Sequence, residues 1–293
     1  PGYAIRARRK RTGLLVGCRC RAWKSKLLHL ILFFICVCEH YVVGTLLDTK
    51  SALVTGATGY IGSRLVGGLL ANGWRVSVVM RPSSSQQLLQ PYLHRVTCHT
   101  HDGSMDKMIR TMDSARPTVV YHLAALTSSV HNVEDVEPLV NTNVLFSTQL
   151  VEAMFRCGIR NLVNTETFWQ HYEGEAYKPV CLYAATKQAF LDILRYYVST
   201  EHISAISLVL YDTYGPDDPR KKLFALLKQA AQSTQQIDMT PGEQIVDMTH
   251  VDDVVTAYLR AGEMLLSESS GQLNTYAVTS GQRMTLRQLV ELV

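Results

Sequence analysis

Tyr183 and Lys187 stand four residues apart in "CLYAATKQAF", a spacing that puts both side chains on one face of a helix. Such a pair can do proton chemistry. A free tyrosine, with a pKa of about 10, exchanges protons sluggishly near neutral pH, and a neighbouring ammonium favours its phenolate. Placed beside a ketone oxygen, the phenol would protonate the alkoxide that a hydride leaves behind. The chain holds fourteen tyrosines, however, and a Tyr-x-x-x-Lys match arises by chance about once in two chains of this composition. The pair takes its meaning from the elements that position it.

Those elements begin at residue 51. Short apolar runs at 52–55, 76–80, 96–100, 119–123, 162–164 and 205–210 alternate with amphipathic stretches, the pattern of a parallel sheet covered by helices. One such stretch, "EPLVNTNVLFSTQLVEAMFRCG", closes on Gly158 as a C-cap. The reading is α/β: a Rossmann-type doubly wound parallel sheet over residues 51–210, then a smaller, interleaved and incomplete substrate-binding lobe over 211–293. Ligands of such a sheet sit at the carboxyl ends of its strands.

The first turn of the sheet is "LVTGATGYIGSRLVGGLL", with Gly56, Gly59 and Gly62 directly after a strand and at the opening of a helix. Small residues there let the backbone approach a pyrophosphate, and the helix N-terminus supplies unpaired N–H groups and positive dipole. Thr58, Tyr60 and Ile61 in the same turn are expected cofactor contacts. A site for NAD places an acid at the end of the second strand for the ribose 2′-hydroxyl. Here the strand ends "VVMRPSSS", and no carboxylate occurs between Gly62 and Asp102. Arg81, with its serines, offers cationic and hydroxyl partners for a 2′-phosphate, so the expected cofactor is NADP rather than NAD.

Bulk properties bound the alternatives. A chain of 293 residues, 47% hydrophobic and 18% charged, can bury a sizeable core. Its net charge of +4 is more than accounted for by Lys and Arg in the first 26 residues, and no basic stripe interleaved with aromatics argues for nucleic acid. The seven cysteines lack zinc-site spacing, so no metal is expected and the thiols are read as reduced. Residues 1–50 join a cationic start to an apolar run at 27–38, short for a membrane span and without a cleavage site. A non-native extension, a signal and an anchor remain open there; membrane contact depends on that run being real, and the expected location is cytoplasmic.

The ordered motifs "TGATGYIG", "HDGSMD", "VVYHLAA", "YAATK" and "HVDDVV" resemble those of extended short-chain dehydrogenases/reductases, the group of nucleotide-sugar epimerases, dehydratases and ketoreductases. The resemblance covers about residues 51–293. Within the group, "NTETFWQHYEGEAYKPVCLYAATKQAF" and "LYDTYGPDDPRKKLF" look closest to reductases that make CDP-dideoxyhexoses. It implies that Asp102, with Gly103, lies near the adenine, that Leu123, Ala124 and Ala125 line the cofactor, and that Asn143 sits on the active-site side of the next helix. It also selects Thr167 as the catalytic hydroxyl with Tyr183 and Lys187, Thr165 being the fallback two residues away on the same strand face. Glu166 stands where small or hydroxyl residues are usual, and by alternation it should point away from the site.

Dehydratases of the group carry Asp-Glu after the catalytic threonine, because eliminating water needs an extra acid and base; this chain has Phe168-Trp169. Reduction of a 4-keto nucleotide sugar by NADPH is therefore expected. An NAD-dependent 4-epimerase and a non-catalytic dinucleotide-binding protein are the alternatives, and a homodimer is open. Arg220, Lys221 and Lys222 in "YGPDDPRKKL" could face the substrate diphosphate, and His250 could touch substrate. Asp252 or Asp253 is read as a helix cap. The closing "MTLRQLVELV" has the i, i+3, i+4, i+7 pattern of an amphipathic helix, and the resemblance implies that relatives continue beyond it.

Overall fold

The computed structural model describes residues 50–201, 203–220, 223–232, 240–267 and 271–292. The N-terminal run, Lys221 and Lys222 lie outside the described residues.

Strands form along short runs of the chain, the central ones apolar and buried on both faces. They are β1 (Ser51–Thr55), β2 (Arg75–Met80), β3 (Val96–Thr100), β4 (Val119–His122), β5 (Asn161–Thr167), β6 (Ser204–Leu210), β7 (Asp212–Tyr214), β8 (Ile245–His250), β9 (Leu273–Val278) and β10 (Arg283–Thr285). Seven of them make one sheet in the order β3-β2-β1-β4-β5-β6-β9, with every neighbouring pair parallel. The other three form a small sheet in the order β10-β8-β7.

The helices of the described residues are α1 (Tyr60–Ala71), α2 (Met105–Ala115), α3 (Val136–Val140), α4 (Phe146–Arg156), α5 (Leu182–Glu201), α6 (Leu223–Gln232), α7 (Val251–Ser267) and α8 (Leu286–Glu291), of which α1 and α7 cover one face of the large sheet and α2, α4 and α5 the other. Alternation along each strand assigns the faces. Val54, Val119 and Val163 pack with Leu65 and Leu69 of α1 and Tyr258 of α7. Leu53, Val120 and Leu162 pack with Met108 of α2, Leu150 of α4 and Phe190 and Leu194 of α5. All are buried, so two cores share one sheet.

The doubly wound parallel sheet is the fold expected from the βα rhythm. The sheet, however, takes its last strand from beyond residue 210: β9 pairs with β6 from Ala205↔Leu273 to Leu210↔Val278. The run "LNTYAV" gives little apolar signal because β9 is an edge strand with several exposed residues. Strand order reverses between β1 and β4, and a crevice opens at their carboxyl ends. No helix among the described residues is long and apolar enough to cross a membrane.

Candidate active site

At the end of β1 the chain turns through Gly56, where φ is +73° and a Cβ would stand 2.7 Å from the backbone of Leu123 and Ala124. Gly62, in the first turn of α1, is tighter still against the same loop. These glycines are thus required first by the protein's own backbone. The start of α1 is capped by Gly59 without a side-chain bond and has no acid in its first turn. Its N–H groups and positive dipole therefore meet an incoming anion with no carboxylate of the helix's own first turn competing.

The outer half of the crevice is a cavity of about 890 Å³, ample for part of a dinucleotide. Thr58, Arg81, Ser83, Ser84, Asp102, Gly103, Leu123, Ala124 and Ala125 line it. Arg81 follows β2 directly. Its N–H donates to Ser84 Oγ at 3.2 Å and its carbonyl accepts from Ser84 N at 3.0 Å, which fixes the turn and leaves the guanidinium exposed. Asp102 accepts from the amide and hydroxyl of Ser104 at 2.9 and 2.6 Å, and these bonds hold its carboxyl below the usual range. Its first task is thus to start α2, at whose N-cap Ser104 stands.

The inner half brings together Thr165, Thr167, Tyr183 and Lys187 with Tyr60, Ile61, Phe168, Trp169, Tyr211 and Arg220. Tyr183 and Lys187 project from the first turns of α5, and both are buried. Burial pushes the Tyr183 phenol up to about 12, while a side-chain hydrogen bond with Thr127 pulls it back. The expected lowering of this phenol by Lys187 is not found: the groups that act on it are Thr127, Glu166 and Cys181, and desolvation outweighs them. Lys187 is itself lowered by burial. Trp169 stands edge-on to the Tyr183 ring at 6.0 Å, and Phe168 stacks on Tyr211 at 5.1 Å.

The two threonines differ in what they have left to offer. Thr165 donates to the His122 carbonyl at 2.7 Å, and Tyr258 lies 2.7 Å from the same hydroxyl. Thr167 accepts from Trp169 N at 3.3 Å, and its proton has no acceptor among the described residues. Glu166 corrects an expectation. Alternation does turn it to the other face, but that face carries α5, so its buried carboxyl lies within electrostatic reach of Lys187 and Tyr183.

Other expected contacts move. Asn143 does not line the cleft: its amide accepts from Leu126 N at 2.8 Å and donates to Leu126 O at 2.9 Å and Thr186 Oγ1 at 3.0 Å. It braces the loop after β4 against α5, from a π-helical turn at Asn141–Leu145. His250 also stands off the lining, with Asp252 N donating to its Nδ1 at 3.3 Å and Tyr214 edge-on at 5.3 Å. Asp252 and Asp253 lie in the first turn of α7, where their charge suits the dipole. Arg220 does reach the cleft, held by Asp218 at 2.7 and 2.6 Å and lying 4.9 Å over the Tyr60 ring. Tyr60 donates to the Pro216 carbonyl at 3.0 Å, so it ties the 215–220 loop to the glycine turn. Thr127 escaped the sequence reading because nothing in "ALTSSV" marks which hydroxyl turns inward.

Comparison with known proteins agrees with this geometry. Residues 52–275 match the model of the NAD dependent epimerase/dehydratase family. The chain is 26% identical to a CDP-abequose synthase of Salmonella muenchen, over 83% of this chain and 80% of that one. It is 30% identical to a UDP-glucose 4-epimerase of Mycolicibacterium smegmatis, over 72% of each. Among solved structures it resembles a UDP-glucose 4-epimerase of Thermotoga maritima bound to UDP-glucose, with a TM-score of 0.72 and 25% identity over 83% of this chain and 81% of that chain.

Proposed function

The chain belongs to the NAD dependent epimerase/dehydratase family, and from that premise we propose that it reduces a 4-keto nucleotide sugar, most simply a 4-keto dideoxyhexose, with NADPH. The observation that carries this reading is the convergence of Thr167, Tyr183 and Lys187 on the inner cleft, where a phenol raised by burial holds its proton until an alkoxide takes it. The residues around it fit a nicotinamide dinucleotide. The turn from Gly56 to Gly62 would take the pyrophosphate, Leu123 to Ala125 would line the cofactor, and Arg81 with Ser84 would meet a 2′-phosphate. When bound, the cofactor supplies the hydride.

This chain's own groups supply the rest. Tyr183 gives its proton to the carbonyl oxygen of the sugar, and Thr167 hydrogen-bonds that oxygen and fixes it. Lys187, one helical turn on, stabilises the phenolate that remains and would also reach the ribose hydroxyls of the nicotinamide. Phe168 and Trp169 occupy positions where a dehydratase needs an acid and a base, so elimination finds no partner there. Arg220, held in place by Asp218, faces the diphosphate of the substrate.

A second reading, an NAD-dependent 4-epimerase, is supported by the similarity to UDP-glucose 4-epimerases. Its first step would take a proton from a sugar hydroxyl and so needs Tyr183 as phenolate, which burial disfavours. The full chain assayed with 4-keto CDP and dTDP sugars separates the two. Reduction predicts stoichiometric NADPH oxidation; isomerisation of a UDP-hexose without added cofactor would establish the epimerase instead.

A further inference from the structure

Glu166 is a buried acid for which proton transfer to a ketone provides no task. It is 2% exposed on β5, between the two threonines. Its Oε1 accepts from Asn164 Nδ2, which also donates to Ser207 Oγ at 3.0 Å. Gln170 also acts on this carboxyl, and its Oε2 has no partner of hydrogen-bond geometry among the described residues. Leu162 and Glu166 share a strand face, and Leu162 packs on that face with α4 and α5. Lys187, on α5, lines the inner cleft as Glu166 does and is 1% exposed. Either charge alone is costly at such burial, and each lessens the cost of the other.

We propose that Glu166 is a positioning residue for Lys187: a buried counter-charge that keeps the amine in its ammonium form beneath Tyr183 although the cleft desolvates it. Two opposing effects agree with this. Burial lowers Lys187 and Glu166 pulls it back up; burial raises Glu166, and Lys187 is foremost among the groups that pull it down. Of the other titratable groups nearby, His171 after β5 acts on Glu166, whereas His122 from β4 feels Lys187, and Tyr183 on the helix of Lys187 and Tyr258 from α7 feel Glu166. His122 is held neutral by burial and adds no charge.

The inference rests on the reductase reading only for the work it gives Lys187 beside the phenol, so its test does not need turnover. Full-length wild type, Glu166→Gln, Lys187→Met and the double variant are titrated with NADPH across about pH 6 to 10. Glu166→Gln keeps the shape and removes the charge. It should bind like wild type at the acid end and lose affinity at a pH about one unit lower, a gap of about tenfold in between. In the Lys187→Met background the same change should do nothing further. Glu166→Asp should restore most of the wild-type curve. Thermal midpoints of the four proteins give a second cycle: the shift caused by Glu166→Gln should differ between the Lys187 and Lys187→Met backgrounds. Superimposable binding curves together with additive midpoints would overturn the pairing. Binding without any ketone reduction would remove the reductase reading and leave this result standing.

Discussion

A Cβ built on Gly62 would lie 2.1 Å from the carbonyl oxygen of Gly56. The opening of α1 is therefore pressed against the end of β1 by the absence of one side chain. Gly62→Ala should force the loop apart, cost about 1–3 kcal/mol of stability and abolish dinucleotide binding. Gly73→Ala is the control: its φ is +76° with nothing within 4 Å, so it should cost about 1–2 kcal/mol and leave binding unchanged. Melting curves and NADPH titrations of the two variants check this.

Tyr183→Phe deletes the proton and little else. Turnover should fall by about 10²–10⁴ with NADPH affinity within about twofold of wild type. Thr167→Ala should cost about 10²–10³ in kcat. Thr165→Ala, which breaks bonds to His122 and Tyr258, should cost stability of about 1 kcal/mol while sparing kcat. Undiminished turnover in Tyr183→Phe would remove the mechanism.

Arg81 meets solvent at the mouth of the outer cavity. Arg81→Ala should weaken NADPH by about tenfold to a hundredfold, the worth of a charge-assisted bond, and leave NADH within about twofold. Equal losses for both would show that the guanidinium does not read the 2′-phosphate.

His122 is fully buried, its Nδ1 2.8 Å from Thr55 Oγ1 and its Nε2 2.8 Å from Ser147 Oγ. Burial holds it well below its ordinary value of 6.5. The unfolded chain then takes up a proton below that value while the folded chain does not. Stability should therefore fall as pH drops below 6.5, by up to about 1.4 kcal/mol per pH unit. The melting midpoint of wild type, followed between about pH 7.5 and 5, should slope more steeply than that of His122→Gln.

The basic side of the profile belongs to Lys187, because burial lowers it whereas Tyr183 stands at about 12. Ketone reduction should decline as pH rises through a value below that of an ordinary lysine. A decline that begins only near pH 12 would assign the limb to the phenol.

Much of this was legible in the linear sequence because it is local. The glycine turn, the six apolar runs, and the four-residue spacing of Tyr183 and Lys187 depend on backbone sterics and helical period alone. The absence of a carboxylate after β2 was equally plain. β9 was not legible, since an edge strand with exposed residues carries little apolar signal. Asn143 was placed on the right helix, yet its amide turned out to brace Leu126 and Thr186, which only the packing of two distant segments could show.

The sequence by itself determined the fold class, the glycine turn after β1 and the pairing of Tyr183 with Lys187 on one helix face, since each follows from residue type at short range. Tertiary structure alone decided which threonine keeps a free proton among the described residues, that His250 stands off the cleft, and that Glu166 lies within electrostatic reach of Lys187. These depend on which helix covers which face of the sheet and on how far burial outweighs a neighbouring charge, and no spacing along one chain encodes either.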